Sequence, residues 1–345
     1  MDRFFHNPGA YFIIALTITL IGTPIARIIA LKLGIVDHPD ERRIHKEPTP
    51  YLGGLFIYLA LVVSGYFALG NLFTIEPLVP IALFAGLTLV FIAGILDDFI
   101  KLPAGIKMIS IGVAATVLYL SGYSVEFTRW HFINYPLTLF WFLGITNAAN
   151  LMDNMNGLAS GCGIVSALFL AWLAGLRSDP ALVALSLVLA GAYFGFLRYN
   201  FPKAGIFLGD AGSIILGFSL ATLGLAVGRH TGITTTLAPI YLLGLFIFDT
   251  FFVAFSRWSR KTYFWEGGMD HTSHRFVSLG FTKRQAVMLV WVLNILFGLN
   301  AVILWRSSAS YGIPLAIVLF ILGVIFWRRL DRVPIITREP VDESS

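Results

Sequence analysis

Long apolar segments follow one another along almost the whole chain, with short polar segments between them. Their approximate bounds are 10–31, 52–70, 78–96, 105–120, 136–152, 157–175, 181–197, 211–227, 237–255, 285–305 and 312–327. Most are close to the roughly 20 residues that a helix needs to cross a bilayer. The pattern predicts an all-α, polytopic integral membrane protein with about 11 transmembrane helices.

The distribution of basic residues between the two sides of this predicted bundle is uneven. Of the 24 Lys and Arg residues, five (Arg3, Arg129, Arg177, Arg229 and Arg306) lie on one side, and the other nineteen lie on the opposite side. Cytoplasmic loops carry the excess of Lys and Arg in membrane proteins. We therefore expect the N-terminus outside and the C-terminus inside. A single transmembrane domain would occupy 1–330, and a polar cytoplasmic tail 331–345.

Composition agrees with the membrane class. Hydrophobic residues make up 57% of the chain and charged residues 12%, and the mean hydropathy is +0.81. The net charge of +5 suits anionic lipids or anionic substrates and gives no reason to expect nucleic acid. Residues 1–9 do not resemble a cleavable signal. The single cysteine, Cys162, excludes an internal disulfide and a cysteine-based metal site.

Acidic residues concentrate at the inner ends of the apolar segments. Asp97, Asp98, Asp153, Asp210 and Asp270 each end or begin such a segment, and each has Lys, Arg, His or Asn close by in the sequence. Carboxylates that gather with basic groups at one water–lipid boundary are typical of a site for a divalent metal and a phosphorylated substrate.

The adjacent carboxylates of Asp97 and Asp98 are followed by Lys101 and Lys107. Two neighbouring carboxylates at a membrane boundary repel each other unless a cation or a base offsets them. They either take part in a site or pair with the two lysines to cap helix ends.

The first inner loop leaves a similar choice. It contains Arg42 and His45, three prolines that keep it extended, and the pair Gly53-Gly54 that permits close backbone approach. The loop either contacts substrate or serves as a positively charged anchor on the inner side.

Amide side chains are concentrated between the fifth and sixth segments. Asn147, Asn150 and Asn154 share one helix face, and Asp153 and Asn156 lie beside them. Amides offer donors and an acceptor, so this stripe could contact a base edge or supply an oxygen to Mg²⁺. Hydrogen bonding between transmembrane helices is the alternative, but the stripe is too polar for that role alone.

Two further motifs leave alternatives open. Asp210 begins the eighth segment among small residues, where it could cap the helix or bind metal beside backbone N–H groups suited to phosphate. His271, His274 and Arg275 make a plausible anion clamp. Zinc would need a third ligand, and none has convincing spacing. Asp249 is more typical of a partner within the bundle than of a catalytic group.

Taken in order, these motifs resemble those of the polyprenyl-phosphate N-acetylhexosamine-1-phosphate transferase family, a glycosyltransferase 4 type. The resemblance covers about 35–285, and its five segments are Arg42–Gly54, Leu96–Asp98, Asn147–Gly161, Phe207–Ser213 and His271–Arg275. Asn154 and Asn156 stand where the family usually has Gly and a second Asp. The triple-His run of the peptidoglycan enzyme is absent, which favours the branch similar to undecaprenyl-phosphate N-acetylglucosaminyl 1-phosphate transferases.

The resemblance implies transfer of a sugar-1-phosphate, with GlcNAc-1-phosphate favoured, from a UDP-sugar to a polyprenyl phosphate, with release of UMP. This step initiates a cell-envelope polysaccharide. The implied cofactor is Mg²⁺, with Mn²⁺ as an alternative, and the implied location is the inner (plasma) membrane with a cytoplasmic active site. A homodimer is a family-level expectation. The alternatives are a phospho-MurNAc-pentapeptide transferase of the same family, a secondary transporter of an anionic solute and a scaffold.

The resemblance also implies residue roles. Asn150 and Asp210 would bind the metal, and Asp97, supported by Asp98, would deprotonate or orient the lipid phosphate. The residues expected to hold the diphosphate are Lys107, His271, His274 and Arg275. The residues expected to contact uridine are Asp153, Asn154 and Asn156, and the further substrate-binding candidates are Arg42, His45 and Asn147.

Overall fold

The computed structural model describes residues 7–37, 49–70, 72–229, 232–261 and 268–335. Within these ranges the chain is mainly helical. Its helices are α1 Pro8–Leu33, α2 Gly53–Ala68, α3 Leu72–Ile75, α4 Leu78–Ile100, α5 Ala104–Leu120, α6 His131–Met152, α7 Leu158–Leu176, α8 Pro180–Asn200, α9 Gly209–Gly228, α10 Ile233–Leu242, α11 Gly244–Ser259, α12 Thr272–Ser278, α13 Lys283–Arg306 and α14 Ala309–Asp331. Two short antiparallel strands, β1 (Val36–Asp37) and β2 (Thr49–Pro50), pair between α1 and α2.

The all-α, multi-pass membrane class is confirmed. Among the described residues, seven helices (α1, α4, α7, α8, α9, α13 and α14) are long and apolar enough to cross a membrane, or up to eight if α10 and α11 form one span. Helices α2 and α5 are shorter apolar helices. A helix covers each of the eleven predicted segments, but neither the number of crossings nor the orientation follows from these lengths.

One predicted segment, 237–255, differs from the prediction because it divides into two helices. Helices α10 and α11 meet at Leu243 with a bend of 62°. Pro239 lies inside α10 and Gly244 begins α11. Proline removes a backbone hydrogen bond and glycine weakens a helix, so this sequence favours a break that the apolar pattern alone conceals.

Helix ends are fixed by local signals. The side chain of Asn7 accepts a hydrogen bond from Gly9 N at 3.0 Å, and Gly34 ends α1 with a φ of 68°. Thr282 and Gln285 form a reciprocal capping box at the start of α13. These devices satisfy backbone groups that a helix terminus leaves without partners.

Helix α9 is at the centre of the bundle, with 94% of its most apolar stretch buried. Small residues let neighbouring backbones approach it closely. A Cβ on Gly94 of α4 would lie 2.5 Å from Ala211 Cα, and one on Gly54 of α2 would lie 2.4 Å from Gly212 N. Close approach through small residues is the usual way that membrane helices associate. It brings the end of α4 and the start of α2 to the beginning of α9.

The periphery is apolar and faces outward. Only 11% of the most apolar stretch of α14 is buried, and Ile317, Phe320 and Ile321 are exposed along it. Exposed aliphatic and aromatic side chains of this kind are expected on a surface that contacts lipid.

Candidate active site

The carboxylate of Asp98 caps the N-terminus of α9. Its two oxygens accept hydrogen bonds from Asp210 N at 2.8 Å and Ala211 N at 3.3 Å. Gly209 has a φ of 73°, and a Cβ there would lie 2.6 Å from Asp98 Oδ2. The glycine therefore permits both the left-handed turn and the close approach of the carboxylate. Asp98 therefore connects the end of α4 to the start of α9. Its position beside Asp97 in the sequence could not predict this contact.

Lys107 lies between two carboxylates. Its Nζ donates to Asp97 Oδ2 at 3.1 Å and to Asp210 Oδ2 at 2.6 Å, and Leu102 N donates to Asp97 Oδ1 at 2.6 Å. Lys107 and Asp210 remain partly exposed, whereas Asp97 is buried. The ammonium group offsets the repulsion between the two acids and holds the end of α4 against the beginning of α9.

Asn150 contacts the same carboxylate from a third helix. Its Nδ2 lies 3.3 Å from Asp210 Oδ1 and 2.8 Å from Ser213 Oγ. Ser213 Oγ donates in turn to Gly209 O at 3.0 Å. The ends of α4 and α6, the start of α9 and Lys107 of α5 thus converge on Asp210.

A cavity of about 510 Å³ opens beside this cluster. Its polar lining comes from several loops and helix ends. The lining includes Asp37, Tyr51, Asp98, Lys101, Asn150, Asp153, Asn154, Asn156, Asn200, Asp210, Lys283 and Arg284, with Met155, Phe201, Phe207 and Val287 among its apolar members. This volume is in the range of small-molecule binding sites, and a wall rich in amides and charges suits a polar ligand.

The loop between α6 and α7 is held against the end of α8. Asn200 Oδ1 accepts from Gly157 N at 2.6 Å, and Asn200 Nδ2 donates to Ile206 O at 3.0 Å. Gly157 has a φ of 75° and packs on Phe201. Asn200 is buried and was not among the predicted site residues. The local sequence pattern does not identify Asn200 as a site residue, because its hydrogen-bond partners are backbone groups, one of which is distant in the sequence.

Within this loop Asp153 and Asn154 have different environments. Burial, with Asp210 and Asp98 nearby, raises the pKa of Asp153 to about 8. Asn154 Oδ1 accepts from Ser273 Oγ at 2.7 Å, which links the loop to α12. The loop between α6 and α7 and the segment that carries the histidine motif are therefore in direct contact.

The histidine motif is buried behind the cavity. His271 Nδ1 lies 2.7 Å from Asp249 Oδ2, and Thr272 N donates to Asp249 Oδ1 at 2.8 Å. Asp249 thus has the structural pairing within the bundle that was expected of it. Burial, together with the nearby His271, lowers the pKa of His274 to about 4, so its imidazole is neutral at pH 7.

A network of charges holds the segment that precedes this motif. Arg257 donates to both oxygens of Asp270, at 2.7 and 2.8 Å, and Arg260 donates to Asp270 Oδ2 at 2.9 Å. Burial alone would raise the pKa of Asp270, but the hydrogen bonds from Arg257 outweigh it and hold the pKa at about 2. Bidentate pairing of this kind fixes geometry as well as charge.

Arg275 connects the motif to the end of α14. It donates to Val333 O and to Ser256 Oγ, the latter at 3.1 Å, and it lies 3.7 Å from Asp331. The side chain is buried, and burial lowers its pKa. Its described partners are protein groups on α11 and at the end of α14.

The predicted site residues fall into three groups. The residues that line the cavity are Asp98, Asn150, Asp153, Asn154, Asn156 and Asp210. Lys107 contacts Asp210 directly, and Asp97 is connected to Asp210 through Lys107. His271, His274 and Arg275 are buried on an adjoining segment and are not part of the described lining, and Asn147 contacts Met108 and Leu143 instead. Arg42 and His45 lie outside the described residues.

Six polar lining residues were not predicted as site residues: Asp37, Tyr51, Lys101, Asn200, Lys283 and Arg284. Lys283 and Arg284 had contributed only to the count of inner-side charges, and Lys101 had been considered only as a pairing partner of Asp97 and Asp98. Their spacing in sequence carries no signal of a common cavity.

The donor groups around Asp210 fit a hard divalent cation. Among the described residues, no three His, Cys, Asp or Glu side chains gather as a metal site. Magnesium, however, uses few protein ligands and completes its coordination with water and substrate phosphates. Asp210 and Asn150 supply one carboxylate and one amide at the cavity wall, and the Lys107 ammonium already lies between Asp97 and Asp210. The acidic groups of this cluster therefore already bind one cation, the Lys107 ammonium group.

Comparison with known proteins places this arrangement in a family. The sequence model of "Glycosyl transferase family 4" matches residues 80–228. The chain is 36% identical over 93% of its length to a "Probable undecaprenyl-phosphate N-acetylglucosaminyl 1-phosphate transferase" of Bacillus subtilis, covering 90% of that protein. It is 29% identical over 91% of its length to a "Decaprenyl-phosphate N-acetylglucosaminephosphotransferase" of Mycolicibacterium smegmatis, covering 87% of it.

A third relative comes from another branch. The chain is 29% identical over 87% of its length to a "Phospho-N-acetylmuramoyl-pentapeptide-transferase" of Desulforamulus reducens, covering 97% of that protein. Similarity over nearly the whole of each relative, together with a family match that spans the Asp98–Asp210 cluster, identifies the chain as a member of glycosyl transferase family 4.

Proposed function

We propose that this protein transfers GlcNAc-1-phosphate from UDP-GlcNAc to undecaprenyl phosphate. An oxygen of the lipid phosphate would attack the sugar-bearing phosphorus of the donor, the bond to the bridging oxygen would break, and UMP would leave. The observation that carries the proposal is the Asp210 cluster at the wall of a polar cavity. The similarity to a named transferase of this specificity over 93% of the chain supports the choice of reaction.

Two highly negative phosphates must meet in this reaction, so positive charge is the first requirement. We propose that Asp210 and Asn150 hold Mg²⁺, with Mn²⁺ as an alternative. The ion would neutralise charge on the transferring phosphoryl group. Lys107 would add a second positive charge beside the same phosphates, because its Nζ is 2.6 Å from Asp210.

Asp97 and Asp98 have different proposed roles. Asp98 orients Asp210 because it accepts hydrogen bonds from the backbone N–H groups of Asp210 and Ala211. Asp97 orients Lys107 and, through it, the lipid phosphate. That phosphate is largely ionised at neutral pH, so orientation is the more important contribution of Asp97.

The loop between α6 and α7 supplies the proposed nucleoside contacts. Asp153, Asn154 and Asn156 line the cavity. An acid with a pKa of about 8 can donate as well as accept, and amides do both, which suits the edge of a uracil ring.

The histidine motif lies outside the described cavity lining but adjoins it through the contact of Ser273 with Asn154, and it is proposed to hold the diphosphate from the side of α12. Asp249 engages Nδ1 of His271, which leaves Nε2 as the ring nitrogen for a substrate oxygen. Arg275 contributes by fixing α12 to α11 and to the end of α14. His274 would act as a neutral donor or acceptor because its pKa is about 4.

The proposed setting is the inner (plasma) membrane, with eleven crossings, the N-terminus outside, the C-terminus inside and the cavity on the cytoplasmic face. Apolar surfaces between helices would receive the prenyl chain. A homodimer remains part of the proposal. The pentapeptide transferase is the second candidate, and the similarity to such an enzyme at 29% identity supports keeping it.

The test is mass spectrometry of lipid products made by the purified protein from undecaprenyl phosphate and a panel of UDP-sugars. We expect a GlcNAc-diphosphate lipid and UMP. EDTA should stop the reaction, and Mg²⁺ or Mn²⁺ should restore it. Asp210→Ala should insert normally and lose turnover. Product formed only from the UDP-MurNAc-pentapeptide would transfer the chain to the other branch, and no lipid product from any donor would refute the reaction class.

A further inference from the structure

Three cations are found among the described residues that line the cavity: Lys101, Lys283 and Arg284. The lining also includes four carboxylates, those of Asp37, Asp98, Asp153 and Asp210. A cavity with this balance cannot hold polyanionic substrates unless its cations face them. The roles proposed above use Lys107 and the metal, but leave Lys101, Lys283 and Arg284 unassigned. Of these three, Lys101 lies over the ring of Tyr51.

Lys283 and Arg284 belong to a different wall from the Asp210 cluster. They occupy the first turn of α13, and Val287, one turn later, also lines the cavity. Helix α13 packs against α7 and α12, and its Trp291 ring lies 4.8 Å from the Phe201 ring. Asp98 and Asp210, by contrast, belong to α4 and α9, which pack on each other. The two cations therefore lie on the same wall of the cavity as Phe201 and the loop between α6 and α7, which we call the amide loop.

The position of these cations is unfavourable for the helix itself. The N-terminus of a helix carries partial positive charge and favours acidic residues, yet the first turn of α13 has no acidic residue and two basic ones. The capping box of Thr282 and Gln285 already satisfies backbone groups there. Lys283 and Arg284 bring two positive side chains to the cavity lining at a helix end that already carries partial positive charge, and this arrangement suits an anionic ligand.

We propose that Lys283 and Arg284 bind the nucleotide-side phosphate of the donor, the one that leaves with UMP. This rests on the proposed function. That phosphate is attached to the nucleoside, which the amide loop on the same wall is proposed to hold. It gains one negative charge when the bond to the bridging oxygen breaks, so cations at this point stabilise the departing group more than the bound substrate.

The variants Lys283→Gln and Arg284→Gln test the subsite. Each should raise the KM for UDP-GlcNAc and the inhibition constant of UMP about tenfold, which is what the loss of one charge-assisted hydrogen bond costs. The KM for undecaprenyl phosphate should stay unchanged. Arg284→Lys should recover part of the loss. Arg329→Gln is the matched control, because Arg329 is an exposed arginine on the same predicted side but outside the cavity lining.

Calorimetric titration of UMP into the detergent-purified protein provides a readout that needs no turnover. If wild-type protein binds UMP and Arg284→Gln binds it about tenfold more weakly, the subsite holds even when no transfer is detected. A rise in the KM for undecaprenyl phosphate alone would assign the cations to the lipid phosphate and overturn the proposal. Unchanged donor and UMP affinities in both variants, whose melting temperatures serve as the folding check, would also overturn it.

Discussion

Lys107 connects two acids that would otherwise repel each other across a helix interface. Its ammonium lies 3.1 Å from Asp97 and 2.6 Å from Asp210, so a single side chain both joins α4 to α9 and sets the charge at the cavity wall. Asp98 performs a comparable task with backbone partners. The precision of the site at the residue scale therefore depends on contacts between groups more than 100 positions apart.

The first prediction concerns the charge of Lys107. We expect Lys107→Gln to lower turnover at least about 100-fold, because it removes the cation between Asp97 and Asp210 at the place where the proposed reaction brings the phosphates together. Turnover and the melting temperature should be measured together. Lys32→Gln removes the same charge from the exposed end of α1 and should retain wild-type turnover. If Lys107→Gln turned over normally, the ammonium would have only a structural role.

A second prediction at this scale is the pH dependence caused by His274. Its pKa is about 4 in the folded protein, whereas the unfolded imidazole has a pKa of about 6.5. Between these values the unfolded state binds the proton and the folded state does not, so stability decreases as pH falls from 6.5 towards 4. The loss is about 1.4 kcal/mol for each pH unit well within this window.

The measurement is the melting temperature of the detergent-purified protein at pH 7 and pH 5. Wild type should lose more stability than His274→Gln over this interval, since the variant lacks the titrating group. His131→Gln is the control, because that histidine is exposed at the start of α6. Equal losses in wild type and His274→Gln would mean that His274 is not held neutral.

At the scale of elements, close backbone contact at the inner end of α9 places the functional groups. A Cβ at Gly94 would lie 2.5 Å from Ala211 Cα, and backbone atoms cannot yield as the end of a flexible side chain can. We expect Gly94→Ala to destabilise the protein by about 1–3 kcal/mol and to reduce turnover, because separation of α4 from α9 also moves Asp98 away from its backbone partners.

Gly112→Ala on α5 is the matched control for this variant. Nothing lies within 4 Å of a Cβ at Gly112, so the change should be neutral or slightly stabilising. The unfolding midpoint and the turnover of both variants give the comparison. Wild-type values for Gly94→Ala would show that α4 can shift without disturbing the site.

Elements and site were predictable to different degrees. Apolar length alone located the long helices but not the short α3 and α12, and the motifs around Asp97, Asn150 and Asp210 indicated residues that do converge. The break at Leu243 was not predicted because the apolar pattern continues across it. The burial of Arg275 against Val333 was not predicted either, since a partner on another element leaves no trace in local spacing.

At the scale of the whole molecule, the cavity lies on the side of the predicted bundle that carries most of the basic residues. The cavity is lined by segments that all lie on the predicted cytoplasmic side, including those before α2 and between α6 and α7 and the start of α13. A nucleotide sugar is too polar to cross the bilayer unaided. If the nineteen-to-five division of basic residues reports orientation correctly, the donor must enter from the cytoplasm.

Labelling of single cysteines tests this orientation. Cys162 is the only cysteine and is buried, so the wild-type background should resist a membrane-impermeant maleimide. Ser308→Cys, at an exposed position between α13 and α14, should react on intact cells. Lys203→Cys lies at an exposed position in the loop between α8 and α9 and should react only after permeabilisation. Reaction of Lys203→Cys on intact cells, with Ser308→Cys protected, would invert the topology and move the cavity to the side where a cytoplasmic donor could not reach it.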